Sequence, residues 1–339
     1  CDVFDGKWVI DGSYPLYNAS PPCPFLERGF NCLGNGRRDK EYTRWRWKPR
    51  SCEIPRFDAV ATLERLRGKR VVFVGDSLGR TQWESMICML MGAVADKSSV
   101  YEVNGNQITK QIRHLCVRFE SFNFTVEFYR SVFLVQPAPP PGQSPKRVKM
   151  VLKLDQIDSI NTEWIHSDVL VFNSGHWWST SKLFDMGWYF QFGGKIKLGM
   201  TIPRAFRLAL STWQSWLSNS AIDPRRTQVF FRTFESSHWS GGHGQKCRVT
   251  KKPSSKNEVG RRSWISDAII AAVKNVSSSA SSVGVKLLHV TPMGAFRSDA
   301  HVGSWSENPS SPPDCSHWCL PGVPDMWNEI LFAVLSEKY

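Results

Sequence analysis

The sequence predicts an α/β protein: a parallel sheet flanked by helices, a smaller lobe built from insertions, and a disulfide-tied N-terminal segment. Three observations point there. Short valine-rich apolar runs bounded by turn residues read as strands buried on both faces. Stretches with helical spacing alternate with them, the order of a doubly wound sheet. Four of the nine cysteines fall within the first 52 residues, in a stretch without periodicity.

Residues 1–57 hold Cys1, Cys23, Cys32 and Cys52 among Gly, Pro, Asn and aromatic residues, and form the expected N-terminal segment. Regular structure is predicted from residue 58. Residues 59–66 have helical spacing and end at Gly68, a C-cap residue. The run 71–74, between Lys69-Arg70 and Gly75, reads as a buried strand. Trp83, Met86, Ile87 and Leu90 recur at i, i+3, i+4 and i+7, so a helix follows. Residues 100–155 break the rhythm, with strand-like alternation over 122–135 and then a Pro-rich loop. Residues 168–173 are a second buried strand. Phe206, Leu210, Trp213 and Leu217 mark a helix before the strand 229–231. Residues 236–262 are rich in Gly, Ser and Lys without a period. Trp264, Ile265, Ala268, Ile269 and Ala272 mark a further helix, 285–290 a fourth strand, and Trp327, Ile330, Leu331 and Val334 a C-terminal helix. The expected division is 1–57 packing on a catalytic domain at 58–339, with insertions near 100–155 and 236–262 forming a second lobe or cleft wall.

The chain has 339 residues, and 43 Lys plus Arg against 30 Asp plus Glu give a formal charge of +13. Hydrophobic residues at 41% exclude a disordered chain. Nine cysteines in this length are too sparse for a small disulfide scaffold. No apolar run approaches the roughly 18–20 residues that span a bilayer. The first residue is Cys rather than Met, so a signal peptide or anchor upstream is expected to lie outside these residues. The charge points to an acidic partner: nucleic acid, an anionic polysaccharide, a phosphorylated donor or a membrane surface. The basic residues are mostly scattered doublets, which ordinarily form a solvated surface; residues 44–50 are a denser cluster.

Cys315 and Cys319 sit close together near the C-terminus, and no cysteine pair has zinc-site spacing, so no metal is expected. Sequons occur at Asn18, Asn123 and Asn275, whereas Asn308 is excluded by Pro309. Sequons with clustered cysteines favour a secretory compartment. An odd number of cysteines leaves at least one free or paired between chains.

Gly75-Asp-Ser-Leu78 places Ser77 at the carboxyl end of a buried strand and the start of a helix. Ligands of open α/β sheets bind at that edge. The helix start offers unpaired N–H groups and a positive dipole end for an oxyanion. The plain alternative is an Asp cap with a bystander serine. A nucleophilic serine needs a base and the base an orienting carboxylate. Asp314-Cys-Ser-His317 supplies both within one turn, between Cys315 and Cys319; Asp299-Ala-His301 is the rival pair, and a surface salt bridge the plain reading of either. Phe172-Asn-Ser-Gly-His-Trp-Trp178 ends the second buried strand on the same sheet edge. Asn173 is a candidate oxyanion donor, and His176, Trp177 and Trp178 a candidate platform for sugar rings, against core packing as the alternative. With Trp45, Trp47, Trp188, Trp239 and Trp318 they suggest a carbohydrate groove.

These motifs together resemble the plant trichome birefringence-like proteins. Gly-Asp-Ser-Leu with Arg80 and Trp83-Glu-Ser85, the Phe172–Trp178 motif, and the run from Asp314 through Pro-Gly-x-Pro-Asp-x-Trp-Asn carry the resemblance. So does the opening Cys1-Asp-x-Phe-x-Gly-x-Trp with Pro15-Leu-Tyr17 and Asn35-Gly-Arg-Arg-Asp39, so it spans nearly the whole chain. The resemblance implies an SGNH-hydrolase-like fold in a Golgi-lumenal type II membrane protein that transfers acetyl groups onto cell-wall polysaccharide hydroxyls. By motif position it makes Ser77 the nucleophile, His317 the base and Asp314 its orienter, with Asn173 and Arg80 toward the oxyanion or donor. It also suggests Cys1–Cys52, Cys23–Cys88, Cys32–Cys319 and Cys247–Cys315 pairing, with Cys116 left over; sequence alone does not choose among pairings. Many members have Asn where this chain has Gly79, which puts any role of that Asn in doubt here.

The implied route is a Ser77 acyl-enzyme and ping-pong kinetics. No bound cofactor is expected beyond an acetyl donor, acetyl-CoA or another acetyl carrier. An acidic acceptor such as rhamnogalacturonan I suits the charge; xylan or another hemicellulose, deacetylation by the same residues, and non-catalytic pectin binding are the alternatives. Nucleic-acid binding accounts for the charge but not for the motifs, and no nucleic-acid partner is expected.

Overall fold

The computed structural model describes residues 1–18, 21–235, 237–240, 246–254, 263–278, 283–308 and 310–336. The N-terminal segment contains β1 (Gly6–Ile10), which pairs antiparallel with β2 (Trp45–Pro49). The ribbon is an element that the irregular composition of 1–57 concealed. Its two strands lie 35 residues apart in sequence, with Ile10 opposite Trp45, so no local hairpin turn announces them. Trp8 meets Trp47 edge-on at 5.6 Å. Trp47 is 1% exposed and donates its indole N–H to the Val3 carbonyl.

Asp58 accepts the Ala61 N–H and so caps α1 (Ala59–Arg65). Gly68, at φ +70, turns the chain into β3 (Arg70–Gly75). After Asp76 alone comes α2 (Ser77–Met91). Then follow β4 (Val100–Glu102), β5 (His114–Phe119), β6 (Phe124–Arg130), β7 (Val135–Ala138) and β8 (Met150–Ile157). The chain continues through β9 (Val169–Phe172), β10 (Trp188–Phe192), β11 (Lys195–Ile196), α3 (Ile202–Asn219) and β12 (Gln228–Arg232). It ends with β13 (Trp239–Ser240), β14 (Lys246–Cys247), α4 (Trp264–Ser278), β15 (Val285–Leu288), α5 (Thr291–Gly294), β16 (His301–Gly303), β17 (Asp314–Trp318) and α6 (Val323–Ser336).

The central sheet has seven strands in the order β15-β12-β9-β3-β6-β5-β4. The first five are parallel, and β5 and β4 add an antiparallel edge. β3 sits between β9 and β6, so the winding reverses beside it and a crevice opens at its carboxyl end. Alternate residues of β3 feed two cores. Val71 and Phe73 join one with α2, α6, Tyr42 and Trp47; Val72 and Val74 join the other with α3, α4 and the second sheet. The result is the layered α/β architecture expected of an SGNH-like protein.

The insertion expected at 100–155 divides in two. Its first half supplies β4, β5 and β6 to the central sheet rather than to a second lobe. Phe124, Val126 and Phe128 of β6 are at most 1% exposed. Buried Glu127, 2.6 Å from Arg70, gives the strand its misleading alternation. Its second half supplies β7 and β8 to a four-stranded sheet of order β11-β10-β8-β7, which packs against α3. Of the region 236–262, the described parts include β13 and β14, paired antiparallel. The doublet Arg261-Arg262 and the sequon positions Ala19 and Ser20 lie outside the described residues.

Four disulfides form: Cys1–Cys52, Cys23–Cys88, Cys32–Cys319 and Cys247–Cys315. The first closes the ribbon, and the next two fasten the N-terminal segment to α2 and to the residue after β17. Cys116 is a free thiol in β5, and burial pushes it up to about 12. No helix among the described residues is long and apolar enough to cross a membrane.

Candidate active site

Gly75 brings β3 against the end of β9. A Cβ there would lie 2.5 Å from the Asn173 carbonyl oxygen and 2.0 Å from its side-chain Oδ1, so close approach, not a positive φ, demands glycine. Asp76 then caps α2 by accepting the Leu78 N–H, and the next residue is Ser77, half-buried at the helix start. Among the described residues the backbone N–H groups of Ser77 and Gly79 have no protein acceptor, as expected of a first helical turn.

Ser77 Oγ lies 2.7 Å from His317 Nε2. His317 Nδ1 lies 2.6 Å from Asp314 Oδ2. The carboxylate can only accept, so Nδ1 carries the proton and Nε2 presents a lone pair to the serine. The Asp-x-x-His spacing works through the backbone as well: Asp314 Oδ1 accepts the N–H groups of Ser316 and His317 at 2.7 and 3.0 Å. Burial alone would raise the Asp314 carboxyl, but the hydrogen bond and charge of His317 and the two N–H groups hold it below the usual carboxylate range. Phe30 of the N-terminal segment stacks on the His317 ring at 5.5 Å. Disulfides anchor both ends of this strand, at Cys315 and just beyond it at Cys319.

The rival pair forms no such relay. Asp299 is fully buried and engages Arg297 at 2.8 and 3.0 Å. His301 instead reaches the His317 carbonyl through Nδ1 at 2.9 Å and His238 through Nε2 at 2.7 Å. It stacks on Trp318 at 3.9 Å, and burial, with the nearby His238, lowers it to about 3. His301 therefore sits behind the His317 backbone rather than beside a nucleophile.

Other expected site residues are placed differently. Arg80 is 3% exposed and held by Glu27 and Glu84, so it has no path to an oxyanion or donor. Asn173 donates one amide N–H to Asp76 Oδ1 at 2.7 Å, which steadies the helix cap. Trp178 is 3% exposed in the core beneath α3, with Phe206 at 5.0 Å, and offers no face to a sugar. Trp47 and Trp318 are core residues too, at 1% and 0% exposed. Trp177 stays half-buried at the edge, and Trp239, 36% exposed, donates to Ser316 Oγ beside His317. Trp45 and Trp188 are half-buried.

His176 meets Glu235 at 3.1 Å and stacks on Phe234 at 4.3 Å. Burial pushes it down to about 4, so it is a neutral ring at neutral pH. Glu235 in turn pairs with Arg232, a fully buried cation over the Trp327 ring whose pKa burial lowers to about 9. Asp76, Arg232 and Glu235 thus cluster as charged groups near the neutral His176 ring. Sequence reasoning missed Arg232, Glu235 and Phe30. An Arg closing a buried strand three residues before a Glu was the available signal for the first two; Phe30 had none. The sequon residues Asn18, Asn123 and Asn275 are all exposed.

Similarity to known proteins covers the whole chain. The family described as "GDSL/SGNH-like Acyl-Esterase family found in Pmr5 and Cas1p" matches residues 54–334, and the PMR5 N terminal Domain matches residues 1–53. Trichome birefringence-like 7 of Arabidopsis thaliana is 60% identical over 338 residues, covering 100% of this chain and 74% of the relative. Trichome birefringence-like 9 of the same plant is 43% identical, covering 100% and 84%. Its trichome birefringence protein is 39% identical, covering 100% and 56%.

Proposed function

The chain belongs to the trichome birefringence-like family and carries its GDSL/SGNH-like acyl-esterase domain, and from that premise we propose that it moves acetyl groups onto hydroxyls of a plant cell-wall polysaccharide. The observation that carries the reading is the unbroken relay from Ser77 through His317 to Asp314 at the carboxyl edge of the central sheet.

In this reading His317 Nε2 takes the Ser77 proton as Oγ bonds to the donor's acetyl carbon. The Ser77 N–H, unpaired at the helix start, is the donor best placed for the oxyanion, with the dipole of α2 behind it. The bond from acetyl to its carrier breaks, and His317 returns the proton to the leaving group. A sugar hydroxyl then gives its proton to Nε2 and attacks the acyl-enzyme, and Ser77 recovers its proton when the ester to Oγ breaks. Asp314 fixes the tautomer and stabilises the transient imidazolium. Acetyl-CoA or another acetyl carrier serves as donor.

The +13 charge supports an acidic acceptor, with rhamnogalacturonan I pectin as the preferred substrate. The disulfides and exposed sequon residues support a secretory compartment, which in this reading is the Golgi lumen. Water can replace the sugar hydroxyl on the same acyl-enzyme, and the esterase in the family's description favours hydrolysis as the second reading. Incubation with an acetyl donor and a panel of pectic, xylan and mannan oligosaccharides, read by mass, tests the proposal. Acetylated oligosaccharide from the wild type and none from Ser77→Ala is the expected result. Release of acetate from acetylated polysaccharide without any transfer would replace it with the esterase.

A further inference from the structure

Arg130 closes β6 and lies opposite Gly75, two residues before Ser77. Trp177 follows β9 on the same edge of the sheet. The Arg130 guanidinium lies 5.5 Å from the centre of the Trp177 ring, and Lys182 Nζ lies 5.2 Å from it. Phe133 meets the indole edge-on at 6.1 Å and fixes its plane, while part of the ring stays open. An isolated exposed cation is ordinary surface. Here two converge on one indole at the edge that carries the nucleophile.

Among the described residues no carboxylate balances their charge. Neighbouring Arg113 is paired with Asp158, and Arg80 with Glu27 and Glu84. Among the described residues neither Arg130 nor Lys182 has a carboxylate within ion-pair distance. Burial, with Arg80 and Arg113 close by, lowers the Arg130 pKa, the signature of a cation without a counter-ion. An indole face suits the C–H face of a sugar ring. Two cations over one indole suit an anionic group held between them, and the arginine fork matches a carboxylate in two-point contact.

We infer that Trp177, Arg130 and Lys182 form a subsite for a uronate unit of the acceptor, its carboxylate between the two cations and its ring against the part of the indole they leave open. The inference rests on the reading of Ser77 as an acetyl-transferring serine, and it assigns specificity to residues outside the relay. A hexuronate binds there next to the sugar whose hydroxyl enters the site.

Binding measured without any acetyl donor separates the two claims. The 339-residue chain is titrated calorimetrically at low salt with trigalacturonate and with its methyl ester, which keeps the rings and removes the charge. Wild type should prefer the free acid by roughly tenfold to a hundredfold, the value of charge-assisted hydrogen bonds. Arg130→Gln/Lys182→Gln, both exposed positions, should bind the two alike with affinity for the ester unchanged, and Trp177→Ala should weaken both. Equal binding by wild type, or a preference that survives in the double variant, overturns the subsite. So does displacement of trigalacturonate by coenzyme A, which would give these cations to the donor's phosphates. A protein that binds through these residues yet never transfers acetyl refutes the reading of Ser77 and leaves the subsite standing.

Discussion

Gly79, on the first turn of α2, leaves a space that Asn173 fills. A Cβ at 79 would lie 2.1 Å from Asn173 Oδ1 and 3.2 Å from its Cγ. Asn173 would then have to swing away and break its 2.7 Å bond to Asp76, a fully buried carboxylate. The loss of a hydrogen bond to a buried charge costs about 1.5–3 kcal/mol. Gly79→Ala should therefore lower both thermal stability and turnover. In the Asn173→Ala background the same change should cost little, because the clash and the bond are both gone. A double-mutant cycle measures this coupling; additive effects would show that Gly79 and Asn173 are independent.

At the scale of elements, β17 is the strand on which chemistry depends, and it is anchored from two sides. Cys247–Cys315 ties it to β14, and Cys32–Cys319 ties its far end to the N-terminal segment, whose Phe30 also backs the His317 ring. Small displacements of a catalytic ring cost up to about 100-fold in rate. Cys247→Ser/Cys315→Ser should cut turnover about 10- to 100-fold, whereas Cys1→Ser/Cys52→Ser, which opens only the ribbon, should leave turnover close to wild type. Comparable losses in both pairs would deny β17 its special role. Helix α6 carries a different burden. Burial pushes Asp325, which Ser85, Gly322 and Tyr17 hydrogen-bond, from 3.8 up to about 7, and Glu329, bonded by Tyr14, from 4.5 up to about 7. Each carboxyl keeps its proton in the folded chain to near pH 7 and loses it near pH 4 when unfolded. For these two groups the folded state binds more protons across that window, so their contribution to stability falls as pH rises from about 4 to about 7 and levels above. His176 and His301, held neutral by burial, work the other way below about pH 6.5, so the test is a difference: the thermal midpoint of the wild type relative to Glu329→Gln should fall between pH 5 and pH 8. A difference that stays constant or rises over that range would contradict the burial of Glu329 in protonated form.

The whole molecule was legible where the signal was local. Strands β3, β9 and β12 are buried on both faces, so each reads as a largely continuous apolar run; β15, at the sheet edge, buries only Val285 and Leu288 fully. β6 does not read as such a run, because Glu127 inside it is neutralised by Arg70 on the neighbouring strand, a pairing 57 residues away that no window contains. The ribbon of β1 and β2 was hidden for the same reason. Asp314 and His317 meet within one turn and Ser77 sits in a four-residue motif, so the relay could be named from sequence. The contacts of Asn173 with Asp76 and of His176 with Glu235 join residues 97 and 59 apart, and so the roles of these side chains could not. Tryptophan content suggested a long sugar groove, but composition does not separate rings that fill the core, such as Trp178 and Trp318, from those left at the surface, such as Trp177 and Trp239. Of the cations behind the +13 charge, Arg130 and Lys182 meet at the Trp177 ring. The central claim remains the acyl-enzyme on Ser77. Acid quenching of the protein during turnover with an activated acetyl ester, followed by intact-mass and peptide mass spectrometry, addresses it directly. The account predicts a single acetyl group on the peptide containing Ser77, discharged when an acceptor oligosaccharide is added and absent from Ser77→Ala and His317→Ala. Acetylated oligosaccharide produced by Ser77→Ala at the wild-type rate would contradict it.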